Sequence, residues 1–449
     1  MKTAADSRFL INETLALLNR LGTVKSFSLN TPMVLAASVS APAQQAIHEH
    51  LARIAFDLRR RLQAFIGWVR SPASKGVTAA EAQARYAVLK LRFNDLLDQL
   101  DIFADVLLQR GEHGTGTWMA GLDVLAEDAL DLPGGYYDPP PLICFLERGH
   151  GAAIRRARTR LPGGDENPVG VIQIPRERLV GSGIASSLIH EVGHQGSELL
   201  ELTKSVRAEI DAIVARGENL VAWLLYHRWL NEILSDFWAM AHLGITATNG
   251  LISVVSLPTY FVFRIATDAP HPFPWIRVKI SIAIGRILFP HPQWDRLERQ
   301  WEALYPTGNL PPVKRQLIAR LEGTLPAFAA LLVNHRSAAL RGNALGSLFP
   351  VAERQPQRLQ ALYAQWQAAP HLMEQSAPTL VFAVVGQARA DDKITVEGEF
   401  ALLTRLLNRW ALERAKHYGR TWRRPGRILP GQPAGANLSI LPTKTLTAL

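Results

Sequence analysis

The sequence predicts an α+β protein that is predominantly helical, with a small antiparallel sheet packed on one central helix and helical extensions at both ends. Apolar residues recur every three or four positions over most of the chain, and two short β-type runs lie before its middle. The 449 residues exceed one ordinary core. We expect a helical region over residues 1–130, a core over 131–290, a second helical region over 291–424 and an extended tail over 425–449.

Two long amphipathic helices are predicted in the first quarter of the chain. Their apolar stripes cover residues 47–69 and 86–107. The sequence SPASKG at residues 71–76 separates the stripes, which predicts a helical hairpin. Such regular stripes nearly always serve packing, so we assign them no chemistry.

Two β-type runs follow a loop that is rich in Gly and Pro. The run PLICFLE covers residues 141–147, and VGVIQIP covers residues 169–175. Their composition predicts two strands of the small antiparallel sheet, joined by a basic, Gly-rich linker. We expect the second strand, which precedes the central helix, to form an open edge of the sheet.

Helices dominate the rest of the sequence. We expect one helix over residues 184–216 and another over 219–242, then amphipathic helices broken by Pro and Gly. In residues 390–400 we expect Thr395 to cap a new helix. Residues 237–263 contain no Asp, Glu, Lys or Arg, but their polar residues favour a buried segment over a membrane span.

Composition limits the kinds of protein and of site. A hydrophobic fraction of 48% with 20% charged residues indicates a globular chain. The single cysteine, Cys144, rules out an internal disulfide and a cysteine metal site, so a metal would need His, Asp and Glu. Charged residues interrupt the N-terminus, so no signal peptide is expected. We expect a cytoplasmic protein, and later export by a non-classical route stays open.

The sequence HEVGH, which begins at His190, is the strongest functional signal. On a helix His190 and His194 lie one turn apart on the same face, so both rings can reach one Zn²⁺. Glu191 lies beside that face, where a carboxylate would act as a base rather than as a ligand. Gly193 and Gly196 each cost the helix roughly 0.8–1.0 kcal/mol relative to Ala. They suggest that a strand, a helix or a substrate approaches this backbone closely.

A catalytic zinc site needs a third protein ligand and an open position. Leu200 stands where a third histidine of an extended HExxHxxGxxH motif would be required. The downstream sequence NEILSDFWA offers Glu232 and Asp236, one turn apart in an otherwise apolar helix. Glu232 is the candidate third ligand, and Asp236 is the candidate acceptor for the spare ring N–H of a zinc histidine. Carboxylates in such a setting need a metal, a histidine or an arginine as partner.

The combination of HExxH with a helical NExxSD resembles the gluzincin metallopeptidases, the thermolysin-like group. A further sequence, HPFPWIR, runs from His271 to Arg277. Its spacing is similar to that of the prenyl-protein (CAAX) endopeptidases and their soluble minigluzincin relatives. Pro270 stands where those proteins usually carry Ser or Thr. The resemblance covers roughly residues 141–290.

The resemblance implies a zinc metalloendopeptidase that acts on a peptide or protein substrate. It implies three zinc ligands on the two predicted helices: His190, His194 and Glu232. Glu191 would be the general base for a zinc-activated water, and Asp236 would brace the first zinc histidine. His271, with Arg277, would stabilise the oxyanion.

Two other functions remain open on the sequence. The same zinc ligands would suit a catalytically silent protein, in which the metal stabilises a structural or delivered component. The net charge is +10, and eight Lys or Arg against one Glu lie between Arg405 and Arg427. With Trp410, Tyr418 and Trp422 interleaved, this basic segment is a candidate phosphate or nucleic-acid contact. No recognised nucleic-acid motif accompanies it, which favours a solvated helix face with a basic tail.

Overall fold

The computed structural model describes residues 3–24, 33–147, 152–175, 181–266 and 268–422, without the side chains of residues 113 and 417–422. The described chain confirms a predominantly helical α+β fold with one small sheet. The extended tail that the sequence predicts over residues 425–449 lies outside the described residues.

The elements are numbered here in chain order. The helices before the sheet are α1 (Ala4–Thr23), α2 (Ala41–Arg70), α3 (Ala79–Leu108) and α4 (His113–Leu130). The strands are β1 (Leu142–Glu147), β2 (Ala153–Arg155) and β3 (Gly170–Pro175). The helices that follow are α5 (Gly183–Leu199), α6 (Leu202–Val214), α7 (Leu220–Leu243), α8 (Ile245–Val255), α9 (Thr259–Val262), α10 (Pro274–Leu288), α11 (Gln293–Leu304), α12 (Pro312–Asn334), α13 (Pro356–Ala368), α14 (Pro370–Glu374), α15 (Pro378–Ala390) and α16 (Val396–Trp422). Short 3₁₀ turns lie at Leu35–Ala37, Pro72–Ser74, Gln109–Gly111, Pro162–Gly164, Leu345–Leu348 and Val351–Arg354.

The predicted helical hairpin is confirmed as α2 and α3. Thr78 and Glu81 form a reciprocal capping box at the start of α3, which fixes where this helix begins. The turn at Pro72–Ser74 joins the two helices, and their apolar stripes share one hydrophobic cluster with α1. The predicted cap of α16 is also confirmed, because the backbone N–H of Gly398 donates to Thr395 Oγ1 at 3.1 Å.

The sheet is mixed, so the prediction of an antiparallel sheet was wrong. The two predicted strands, β1 and β3, pair in parallel, with Leu142 opposite Gly170. The third strand, β2, lies inside the predicted linker and pairs antiparallel with β3. The chain therefore reverses direction before β2 and again before β3, which makes β1 and β3 parallel. The strand order β1–β3–β2 places β3 at the centre, so the expected open edge is formed by β2 instead.

The two faces of the sheet belong to two hydrophobic clusters. Leu142, Cys144 and Ile172 lie on one face, which packs on α4 and α5, and they belong to the larger cluster, which extends along the chain from Trp118 to Trp410. Residues 143 and 171 belong to the smaller cluster, which the N-terminal helices supply. The sheet is thus packed between the helical hairpin and the remainder of the molecule.

The predicted helix over residues 184–216 is two helices, so that prediction was wrong. Helix α5 ends at Leu199 and α6 begins at Leu202, because Glu201 between them has a φ of +50°. A residue in the left-handed region cannot continue a right-handed helix. The sequence carries no Gly or Pro at this break, which is why the pattern missed it. The second predicted helix, over residues 219–242, is confirmed as α7.

The uncharged segment is buried over most of its length. Residues 237–251 lie in α7 and α8 and are almost entirely buried, whereas residues 256–261 are exposed.

Of the described helices, α12 is long and apolar enough to cross a membrane by length and composition, and Pro326 lies inside it. Phe328 and Leu332 of α12 are fully buried in the larger hydrophobic cluster.

The basic segment is only partly described, because the side chains of residues 417–422 and all of residues 423–427 lie outside the described part of the chain. In the described part, Arg409 pairs with Glu374 at 2.6 Å, and Arg414 pairs with Asp123 at 3.0 Å. The Trp410 side chain is buried, so it does not offer a stacking surface. These contacts place Arg414 and Trp410 in internal packing and Arg409 in an ion pair at the surface.

A buried ion pair connects the sheet with the helices on both sides. Arg110 and Asp123 have fully buried side chains, and both guanidinium Nη atoms donate to the carboxylate at 3.0 Å. Arg414 of α16 donates to the same carboxylate at 3.0 Å. The backbone of Cys144 in β1 completes the network, because its N–H donates to Asp123 at 2.7 Å and its carbonyl accepts from Arg110 at 2.6 Å.

Replacing Asp123 by Ala will destabilise the fold by about 3–5 kcal/mol, because Arg110 would remain buried without a counter-ion. The shift of the urea unfolding midpoint measures the effect. The matched control is Asp57→Ala, which removes a carboxylate whose partners Arg60 and Arg61 are exposed. The control should change stability by less than about 1 kcal/mol. Equal small shifts for both variants would contradict the structural role of Asp123.

Candidate metal centre

The candidate metal centre is built where α5 and α7 cross at close range. A Cβ atom at Gly193 would lie 2.8 Å from the Cα of Ser235, and one at Gly196 would lie 2.2 Å from the ring of Trp238. Both positions therefore require glycine. The sequence allowed a strand, a helix or a substrate to approach here, and the structure places helix α7 at this position. The indole N–H of Trp238 donates to the carbonyl of Ala129 at 2.8 Å, which fixes the large side chain at the crossing.

Three predicted ligands converge at this crossing. Nε2 of His190 lies 3.3 Å from Oε2 of Glu232, and Nε2 of His194 lies 3.6 Å from Oε1 of the same carboxylate. The two imidazole rings lie edge to face, with centroids 4.9 Å apart. One donor atom from each of the three residues lies within 4.8 Å of the others. His190 and His194 lie one turn apart on α5, so their ring nitrogens and the Glu232 carboxylate of α7 face the same point.

The separations of the donor atoms fit a first-row divalent ion. Bonds of about 2.0–2.2 Å in a tetrahedral arrangement place ligand atoms roughly 3.3–3.6 Å apart. The two His–Glu distances, 3.3 Å to Oε2 and 3.6 Å to Oε1 of Glu232, each fall within that range. A set of two imidazoles and one carboxylate suits Zn²⁺ and also other first-row ions. The identity of the ion as zinc stays a prediction.

Neighbouring side chains hold the outer ring nitrogen of each histidine. Asp236 Oδ1 lies 2.8 Å from Nδ1 of His190, the contact that the sequence predicted for this carboxylate. Arg277 donates to both oxygens of Asp236, at 2.7 and 2.9 Å. The ring of His190 is therefore oriented by a carboxylate that is itself fixed by a bidentate arginine.

Sequence analysis missed the partner of the second histidine. The amide of Asn231 lies 3.2 Å from Nδ1 of His194. With the amide turned end for end, its oxygen would accept the Nδ1–H that a metal-bound ring carries. Asn231 is the first residue of the NExxSD sequence and directly precedes Glu232, so that sequence held the signal for it.

The two residues predicted to stabilise an oxyanion lie in different settings. The His271 side chain is 55% exposed, and its Nε2 lies 3.1 Å from Oε2 of Glu232, so it borders the open side of the centre. The Arg277 side chain is only 13% exposed, and its nitrogens are bound to Asp236. Its nearest approach to Glu232 is 3.8 Å. The geometry of Arg277 therefore favours a positioning role, whereas His271 faces the space where a substrate would lie.

Burial and charge act in opposite directions on these groups. Burial disfavours the charged ring of His190, but the Asp236 and Glu232 carboxylates outweigh it and raise the pKa of His190 to about 9. Burial and the neighbouring charge on His190 lower the pKa of His194 to about 4. Burial would raise the pKa of Glu232, yet hydrogen bonds from His190 and His271 hold it well below its usual range. The ionised Glu232 carboxylate thus faces a protonated His190 ring, and a bound cation would take the place of that proton.

A cleft of about 450 Å³ opens beside the predicted ligands. Glu191 lines this cleft without belonging to the donor group, and its burial raises the pKa of its carboxyl. Small and aliphatic side chains of α5, α7 and α8 form the far wall: Ser186, Ser187, Ala239, Ala247, Leu251 and Val254. The near wall is residues 152–154 and 156, in and beside the edge strand β2. A buried carboxylate, three possible metal ligands and a strand edge therefore share one cleft.

Comparisons with known proteins return no relative: no protein-family model, no curated protein and no solved structure matches the chain. The chemistry of the site therefore has to follow from its own atoms. The site contains three possible ligand atoms from two helices and the buried carboxylate of Glu191, which is outside that group. It also contains a cleft that reaches solvent. The resemblance to gluzincins stays a prediction.

Replacing Gly193 by Ala will weaken metal binding about tenfold or more. Ala normally favours a helix over Gly by about 1 kcal/mol. Here the added methyl group would meet backbone atoms of Ser235 at 2.8–3.0 Å, so α7 must move and Glu232 must leave the two histidines. Zinc affinity measured by competition with a chromogenic chelator tests this.

The matched control is Gly67→Ala in helix α2, where a Cβ would meet nothing within 4 Å. This variant should bind zinc as the wild type does. Unchanged zinc affinity in Gly193→Ala, with a normal helical circular-dichroism spectrum, would contradict the crossing as the basis of the site.

Proposed function

We propose that the chain is a zinc-dependent metallopeptidase that hydrolyses peptide bonds. The observation that carries this proposal is the convergence of His190, His194 and Glu232 beside Glu191 in a cleft that reaches solvent. A structural zinc site is closed by four protein ligands, whereas a catalytic site has three and an open position. The donor group in the described residues supplies three.

The carboxylate of Glu191 is the proposed general base. It lies one residue after His190 on α5, lines the cleft and is only 6% exposed. A zinc ion bound at the centre would supply Lewis acidity, which lowers the pKa of water toward neutrality and polarises a carbonyl group. Glu191 takes the proton of the attacking water and later donates it to the leaving amine.

Three further side chains have supporting roles in this proposal. His271 borders the open side of the centre, and its ring N–H is the proposed donor to the developing oxyanion. Asp236 and Arg277 act in this proposal through His190. Their hydrogen bonds hold the ring so that Nε2 faces the centre before a substrate arrives.

The edge strand β2 is the proposed docking site for the substrate main chain. Its inner side pairs with β3, and in the described chain no strand pairs with its outer side. Ala152 and Ile154 line the cleft, so an extended peptide that pairs with the outer edge would pass the metal centre. The sequence predicted the open edge at the second β-type run, which lies at the centre of the sheet as β3.

Replacing Glu191 by Gln will keep the metal and reduce turnover about 10²–10⁴-fold, because the amide has nearly the same shape but cannot accept the proton. Zinc content by elemental analysis and cleavage of a broad peptide library measure the two effects. Glu232→Ala is the contrasting variant, and it should lose both zinc and cleavage. Full turnover by Glu191→Gln would contradict the assigned mechanism.

The library digest also separates this function from a silent metal protein. Cleavage by the wild type should disappear with a chelator and return when Zn²⁺ is added. Failure of the zinc-loaded wild type to cut any library peptide would overturn the proposal and leave a metal site without turnover.

A further inference from the structure

We infer that a second specificity pocket for the substrate lies on the face of β2 opposite the metal centre, and that the N-terminal helical hairpin builds it. This inference rests on the proposed function. It assigns to the hairpin a role that goes beyond packing, namely the selection of a large apolar side chain next to the scissile bond.

The strand register defines the two faces of the edge strand. Ile154 pairs with Ile172, whose side chain lies on the α5 face in the larger hydrophobic cluster. Ala153 and Arg155 pair with residues 173 and 171, which lie on the opposite face, toward α3. Directly opposed residues of paired strands share a face, and successive residues alternate between faces.

A cavity of about 520 Å³ lies on this opposite face, between the sheet and α3. Its volume is within the range of pockets that hold small ligands and side chains. Apolar side chains of α3 and of the sheet line it: Ile102, Val106, Phe145 and Val171. Ala153, Ile154 and Arg156 line both this cavity and the metal cleft, so the two spaces adjoin across the edge strand.

A peptide paired with the outer edge of β2 would serve both cavities at once. Its side chains would alternate between the two faces, as in any strand. Every second residue would face the metal cleft, and the residues between them would face the cavity beside α3. The cavity would therefore select the side chain of a peptide residue that is next in sequence to a residue facing the metal cleft.

The charges at the rim favour an apolar occupant over a charged one. Asp105 of α3 and Arg155 of β2 both line the cavity, and both are exposed. Their opposite charges offset each other, so neither a basic nor an acidic side chain gains a net attraction. Arg156 is already paired with Glu198 at 3.1 Å. Thr159 and Gln173 add two uncharged polar side chains to the lining, and the four apolar side chains favour an occupant such as Leu or Phe.

The experiment is a cleavage profile of a random peptide library by the zinc-loaded full chain and by Ile102→Trp, which fills the cavity. Ile102 is only partly buried, so the larger ring can be accepted without disturbing the core. The wild type should prefer a large apolar residue at one position beside the scissile bond, about tenfold or more over Gly or Asp. Ile102→Trp should lose that preference and keep its zinc content and its cleavage of peptides with small residues there.

The matched control is Leu91→Trp, about three turns earlier on the same helix. Leu91 is 62% exposed and does not line the cavity, so this variant should keep the wild-type profile. A second variant, Ile102→Ala, enlarges the cavity and should move the preference toward Trp. Ile102→Ala still tests the inference if Ile102→Trp lowers the melting temperature of the protein.

The possible outcomes separate this inference from the proposed function. Zinc-dependent cleavage without an apolar preference at any position, or with a preference that both Ile102 variants retain, overturns the second pocket and leaves the metallopeptidase intact. Absence of zinc-dependent cleavage in the wild type overturns both.

Discussion

The close crossing of α5 and α7 is the constraint on which the candidate site depends. Gly193 and Gly196 carry no side chains, so the backbone of α5 lies against the backbone of Ser235 and the ring of Trp238 in α7. Each glycine costs α5 about 1 kcal/mol of helix stability. In return the helices approach closely enough for the carboxylate of Glu232 to lie between two imidazole rings.

Ion pairs and hydrogen bonds between side chains stabilise the charges at the centre. The Asp236 carboxylate accepts two hydrogen bonds from Arg277 and lies against His190, while Glu232 contacts His190, His194 and His271. Removing such groups from water is costly unless the partners are well placed. The bidentate contact meets that requirement, and it orients the ring of His190 independently of any bound ion. The result is a preorganised group of possible metal ligands within helices that are otherwise apolar.

The small sheet connects the site to the rest of the molecule. One face packs on α5 and the other on the N-terminal hairpin, so the position of β2 at the edge depends on both. The buried pair of Arg110 and Asp123 fixes β1 through the backbone of Cys144 and joins α16 to the same point. The hairpin, the sheet and the C-terminal helix therefore support one edge strand beside the cleft.

Features that depend on neighbours in the chain could be predicted from the amino-acid sequence alone. The spacing of His190 and His194, the spacing of Glu232 and Asp236, the hairpin stripes and the cap at Thr395 follow from helical periodicity and short-range hydrogen bonding.

The way in which distant segments meet became known from the three-dimensional fold. It made β1 and β3 parallel, put β2 at the edge, turned Arg277 toward Asp236 and opened a cavity against α3. The break at Glu201 also has no local signal in the sequence, because the residue with the left-handed φ is not a glycine. Strand pairing, side-chain direction and cavities are set by contacts between residues far apart in sequence, which a periodic pattern does not encode.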